Sequence, residues 1–214
     1  MSDDAKARGI YRFQFFRMGK FEEVIVDDYL PEKTANPHNH EWWVPLCEKA
    51  YAKFSGSYDN LHLGNPSWAL TDLTGGISLG TDALKNDLKS TGLSAETLYS
   101  FLYKTQHQTL MCTGNYGGTS QGLVQNHAYT LLRIEQLDVS QKAIRLVKFR
   151  NPHGTAGIEW NGDWKDGDSK WGSISDADKQ RIGYSNTRDG EFWMTFDDWI
   201  DQFESFDICL LPKP

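Results

Sequence analysis

The stretch Gly122-Leu123-Val124-Gln125-Asn126-His127-Ala128-Tyr129-Thr130, with the returning run Lys142–Phe149 and the tetrapeptide Asn151-Pro152-His153-Gly154, decides how the chain is read. His127 opens a strand-like run to Gln136, and Lys142–Phe149 is a second one. Two such runs joined by a tight turn form a β-hairpin. A hairpin brings the start of its first strand beside the end of its second, so His127 and Asn151 are expected to be neighbours. An imidazole beside an amide oxygen is half of a thiol-based catalytic site. The imidazole takes the proton of a nucleophilic thiol, and the amide oxygen holds the ring in the useful tautomer. A neutral amide suffices, because a thiolate–imidazolium pair needs little further charge support. The plain alternatives are a structural histidine at 127 and a turn-forming asparagine ahead of Pro152.

Outward from the hairpin, the 214 residues suffice for one large domain or one and a half small ones. Hydrophobic content of 39% and aromatic content of 13%, with eight Trp, supply a core and argue against disorder. A net charge of −7 argues against a nucleic-acid or anionic-membrane partner and suits cation binding. No apolar run reaches membrane-spanning length, and the polar start Met1-Ser2-Asp3-Asp4 is no signal peptide. Cys47, Cys112 and Cys209 are scattered, without metal-type spacing. Reduced thiols and a cytoplasmic location are the expectation.

Ahead of the hairpin, Ile10–Met18 alternates, with Tyr11, Phe13 and Phe15 on one face, and Phe21–Val26 returns after a Gly19-Lys20 turn. Glu41 starts a helix that tolerates Pro45 in its first turns. Trp43, Leu46, Cys47, Ala50, Tyr51 and Phe54 form its buried stripe, and Gly56 stops it. Ser57–Gly76 reads as mostly loop, broken by Gly64, Pro66 and Gly75-Gly76, with the glycine pair as a boundary. Leu84–Leu88 is a short helix, Ala95–His107 a longer one capped by Ser94, and Thr109–Cys112 a brief strand. Gly114–Gly122 is a glycine-rich loop. Beyond the hairpin, Asn151–Trp171 is a long connection whose Trp160, Trp164 and Trp171 pack it on the sheet. A helix over Asp176–Ile182, a strand over Glu191–Met194, a helix capped by Thr195 and running to Phe203, and a strand over Phe206–Leu211 complete the chain. From residue 77 the order is helices and then mostly antiparallel strands, an α+β class.

Several blocks in order resemble the calpains, calcium-dependent intracellular cysteine proteases of papain-like fold. They are Gly9–Phe16, Val24–Pro31, Glu48–Lys53 with Gly56-Ser57-Tyr58, Asp72–Gly76, His127-Ala128-Tyr129, Arg150-Asn151-Pro152 with Gly154, Glu159-Trp160 and Asp189–Met194. The resemblance implies a two-lobed protease core, with residues 1–76 as a partial first lobe and residues 77–214 as the second. It implies that His127 is the general base and Asn151 its orienting partner. It places the nucleophilic cysteine, in a Gly-x-Cys-Trp setting, upstream of Met1, so that this chain alone is expected to be inactive. Gly64 matches a first-lobe glycine that contacts substrate backbone, although a loop glycine is the plain alternative. Two residues depart from the family. Asn126 stands where glycine usually lets substrate approach, and His153 stands where a tryptophan shields the Asn–His hydrogen bond.

The resemblance also implies calcium. Glu159, Asp166, Asp189 and Glu191 match the carboxylates of the second-lobe calcium site, and Thr187 matches the backbone carbonyl that joins them. Calcium takes six to eight oxygens on flexible loops, which suits this set. The plain reading is surface acids, in a chain with 29 of them. Glu41 matches one ligand of a first-lobe site whose other ligands are expected upstream. His38 and His40 lack a third ligand and are set aside as a metal pair. The implied partners are protein substrates, or a nucleophile-bearing lobe. The alternative function is a non-catalytic calpain-like module that binds calcium and a partner.

Overall fold

The structure is a computed structural model that describes residues 9–31, 41–62, 64–117, 121–139, 141–154 and 159–212. The His38/His40 pair lies outside these residues. Two compact units emerge, Met1–Ser78 with Leu211–Pro214, and Leu79–Leu210.

In the first unit, β1 (Ile10–Arg17) and β2 (Lys20–Asp27) form the antiparallel hairpin that their alternation predicts, in a register pairing Phe15 with Glu22. Helix α1 (Trp43–Ser55) packs on it. Phe15, Val24 and Val26 from the hairpin meet Ala50 and Phe54 from α1 to form a small core. The expected stripe holds at Leu46, Ala50 and Phe54, whereas Trp43 is exposed at the first helical position. The stretch 57–76 corrects the loop expectation, because Pro66–Thr74 is a helix, α2. Asn65 caps it by accepting the Ser67 N–H, Pro66 occupies the first turn, and Gly75 closes it at φ +69°. The residues read as breakers are helix punctuation.

The six-stranded sheet also contains a strand absent from the sequence reading, β3 (Ile77–Thr81), of which Leu79–Thr81 belong to the second unit. Helices α3 (Leu84–Thr91) and α4 (Ala95–Thr105) follow, α4 capped by Ser94 as expected. Strands β4 (Thr109–Asn115), β5 (His127–Val139) and β6 (Lys142–Arg150) come next. Helix α5 (Asp176–Ile182), strand β7 (Glu191–Thr195), helix α6 (Phe196–Gln202) and strand β8 (Ser205–Leu210) end the chain. The sheet order is β3-β8-β4-β5-β6-β7, antiparallel from β8 across to β7. β4 runs through Gly114 and Asn115, which the glycine count had assigned to loop. One side of the sheet buries Met111, Tyr129, Leu131, Phe149, Phe192 and Trp199 in the main core. Trp164, Trp171 and Trp193 form a second core that holds the long 159–175 connection down, and Trp160 joins the main one. A bulge in β5 between Leu131 and Arg133 leaves Leu132 out of the pairing and half exposed.

Candidate active site

The β5–β6 hairpin builds the site at its open end. His127 is the first residue of β5 and pairs with Asn115 at the end of β4. Asn151 follows the last residue of β6, fully buried, with its backbone N–H donating to the Gly190 carbonyl at 2.7 Å. Their side chains meet, with His127 Nε2 at 2.7 Å from Asn151 Oδ1. The backbone N–H of His153 also donates to Asn151 Oδ1, at 3.0 Å. A backbone N–H can only donate, so it fixes the oxygen of the amide on this side. The oxygen in turn accepts from Nε2–H, which leaves Nδ1 with the lone pair. Burial holds the His127 imidazole below its ordinary pKa, the Asn151 bond raises it, and the charge of His153 lowers it further. The Tyr129 ring, nearly perpendicular, and the His153 ring, tilted by 30°, flank the imidazole at centroid distances of 4.9 and 4.1 Å. The arrangement anchors the His127 ring through Nε2 and favours its neutral form.

Two of the three thiols, Cys112 and Cys209, lie in the same unit as His127. Cys112 lies three residues from Asn115 along β4, on the opposite face of the sheet and about 10 Å away along the strand. Burial pushes its pKa to about 11. Cys209 pairs with Leu110, on the same face as Cys112, and is fully buried. Cys47 is half-buried in the first unit, where burial raises its pKa. Catalytic thiols are accessible and acidic, whereas burial raises Cys47 and Cys112 and encloses Cys209.

Next to the pair, two loops bring acidic residues together around a cavity of about 580 Å³ lined by Glu159, Asp166, Asn186 and Arg188, among others. Glu159 Oε1 accepts the Gly190 N–H at 2.8 Å, and Asp189 Oδ1 accepts the Glu191 N–H at 2.9 Å. The Thr187 hydroxyl donates to Asp189 Oδ2, and its carbonyl accepts the Asp189 N–H. Asp166 Oδ2 is buried without a hydrogen-bond partner. Burial, and then the negative charges of Glu159 and Asp189, push its carboxyl up to about 7. An orphaned buried oxygen among like charges is a donor set suited to a hard cation. As they stand, no three His, Cys, Asp or Glu side chains among the described residues are grouped closely enough to hold a metal ion. Glu191 instead pairs with Lys148 at 2.7 Å.

Comparison with known proteins supplies the context for this geometry. Residues 1–210 match the description of the calpain family cysteine proteases. The chain belongs to the calpain family. It is 36% identical over 215 residues to Calpain clp-1 of Caenorhabditis elegans, covering 95% of this chain and 27% of the relative. To Calpain-9 of Rattus norvegicus it is 34% identical over 218 residues, covering 95% and 30%. To Calpain-A of Drosophila melanogaster it is 35% identical over 221 residues, covering 95% and 26%. The chain thus spans less than a third of the length of these curated relatives.

Both departures from the calpain pattern take a definite form. Asn126 sits at φ +50°, a left-handed conformation that glycine adopts freely and asparagine tolerates better than other side chains. His153 contributes its backbone N–H to Asn151 and lays its ring over His127. Gly64, in the first unit, lines a separate cavity of about 530 Å³ with Arg17, Tyr51, Trp68 and Asp72. Glu41 is exposed just ahead of α1. Two residues of this calpain-family site escaped the sequence reading. Lys148 reaches Glu191 diagonally across the β6–β7 pair, which only the strand register reveals. Gly190 bonds Glu159 through its N–H and Asn151 through its carbonyl. Its position between Asp189 and Glu191 was the available signal.

Proposed function

We propose that this chain supplies the base and its orienting amide to a calpain-type cysteine endopeptidase of papain-like fold, acting on protein substrates. The observation that carries the reading is the His127 Nε2–Asn151 Oδ1 contact of 2.7 Å. In this reading His127 Nδ1 takes the proton of a cysteine thiol that comes from outside the 214 residues. The thiolate attacks the peptide carbonyl, and His127 returns the proton to the leaving amine. Asn151 holds the ring through both transfers and supports the imidazolium between them. Residues 1–76 belong to the nucleophile-bearing lobe and residues 77–214 form the lobe of the base. Asn126 in the second unit, and separately Gly64 in the first, are each assigned to contact substrate backbone.

Calcium is part of the same reading. Glu159, Asp166, Asp189, Glu191 and the Thr187 carbonyl would hold it. It would supply positive charge that relieves the mutual repulsion of these carboxylates. Gly190 links this loop to the amide of Asn151, so ordering the loop steadies the catalytic pair.

The test supplies the nucleophile. Joined behind the Gly-x-Cys-Trp-bearing segment of a calpain relative, the chain is expected to hydrolyse a peptide substrate in calcium, inhibited by leupeptin. The 214-residue chain alone is expected to show no hydrolysis, because none of its thiols is both accessible and acidic. Calcium-dependent hydrolysis by the chain alone contradicts the reading. A folded joined protein without activity favours the non-catalytic, calcium- and partner-binding module.

A further inference from the structure

His153 is the least expected feature of the site, and three observations bear on what it does. Its ring lies 4.1 Å from that of His127, with an interplanar angle of 30°. Its backbone N–H donates to the same Asn151 oxygen that anchors His127. It is exposed, whereas His127 is partly buried. We propose that His153 is a positioning residue whose imidazole stacks on His127 and whose own proton discourages a second proton on the base.

The chemistry follows from the stack. Two neutral imidazoles stack face to face at little cost, and so do one neutral and one cationic ring. Two imidazolium rings about 4 Å apart repel, more so where one is partly screened from water. The stacked pair therefore takes one proton readily and a second reluctantly, as coupled sites do. Burial disfavours a charge on His127 and the charge of His153 disfavours it further, which favours the neutral form that accepts a proton from a thiol.

The other groups around His127 do not compete for this role. From β5 comes Tyr129, whose hydroxyl accepts the Val124 N–H and whose pKa is raised by burial. From the end of β6 comes the neutral amide of Asn151, and across the β4 pairing stands Asn115, also neutral. Among the described residues, His153 is the one side chain whose charge shifts His127, in the direction the stack requires. An aromatic ring without charge would cover His127 equally well and leave its basicity higher.

The consequence for catalysis rests on the proposed role of His127, but the coupling is tested without any nucleophile. The experiment is a nitrogen-15 and proton NMR titration of His127 in the 214-residue chain and in His153→Phe and His153→Gln variants. His153→Phe keeps a stacked ring and removes the charge, and His153→Gln removes both. Position 153 is exposed, and an unchanged amide spectrum away from the site checks that each variant folds. The titration midpoint of His127 is expected to rise in His153→Phe and at least as far in His153→Gln. A midpoint unchanged or lowered in His153→Phe overturns the proposal. A rise confined to His153→Gln also overturns it, because burial by the ring rather than charge would then be at work. Failure of the functional reading shows separately, as a joined protein whose hydrolysis does not need His127.

Discussion

At the residue scale, the site turns on which atoms lack alternatives. Asn151 Oδ1 collects two donors, and one of them, the His153 N–H, belongs to the backbone and cannot reverse. That settles the amide orientation and with it the nitrogen on which His127 carries its proton. The sequence anticipated the His127–Asn151 encounter because a hairpin joins strand ends whatever its side chains. It did not anticipate the stack, because His153 in a turn has no periodicity that tells where its ring goes. Asn126 carries a prediction of its own. At φ +50° a β-branched side chain pays the left-handed penalty, about 1–2 kcal/mol. Asn126→Val is expected to lose about that much stability in urea unfolding, while Asn126→Gly stays within about 1 kcal/mol of the parent. Equal stability of the Val and Gly variants contradicts the assignment.

At the element scale, β1 and β2 were readable from their alternation, and β5 and β6 as strand-like runs around a turn, although these two bury residues on both faces, Leu146 in one core and Val147 and Phe149 in the other. Helix α2 was not, because Asn65-Pro66 and Gly75-Gly76 were taken as breaks inside a loop when they are the two ends of a helix. β3 is short and almost wholly exposed or half-exposed, so it lacks the buried face that would mark it. The convergence of the acidic loops depends on register between β6 and β7 and on the turn at Gly190, neither of which is written in local sequence. That turn is the joint between the acidic loops and the His127–Asn151 pair. Gly190 has φ +87°, and a Cβ there would stand 3.0 Å from the Gly154 backbone. Gly190→Ala is expected to cost at least about 1 kcal/mol and to move the NMR signals of both Asn151 and Glu159. Disturbance of one without the other would show that the joint does not couple them.

At the scale of the whole molecule, a calpain-family chain of two compact units carries a concentrated charge problem in the second. The Asp166 carboxyl titrates at about 7 in the folded chain against an ordinary 3.8. A raised carboxyl pKa means that the folded state holds a proton the unfolded state has already released. Stability from this group is therefore greatest below about pH 4 and falls as pH rises through 7. Without calcium, the Tm is expected to decline over that interval, and Asp166→Asn is expected to flatten the decline. Millimolar calcium at pH 7.5 is expected to raise the Tm of the parent, since a ligand bound only by the folded state stabilises it. The double variant Asp189→Ala, Glu191→Ala is expected to lose that rise. An equal rise in both proteins removes the carboxylates from the calcium site.

The central claim is that His127, anchored by Asn151, is the base of a thiol endopeptidase. The most direct measurement is calcium-dependent peptide hydrolysis by the chain joined to a calpain nucleophile segment, comparing the parent with His127→Ala. The account predicts a loss of about a thousandfold or more in kcat/KM for His127→Ala, with the protein still folded and its calcium response in Tm intact. Hydrolysis that survives His127→Ala within about tenfold would contradict it.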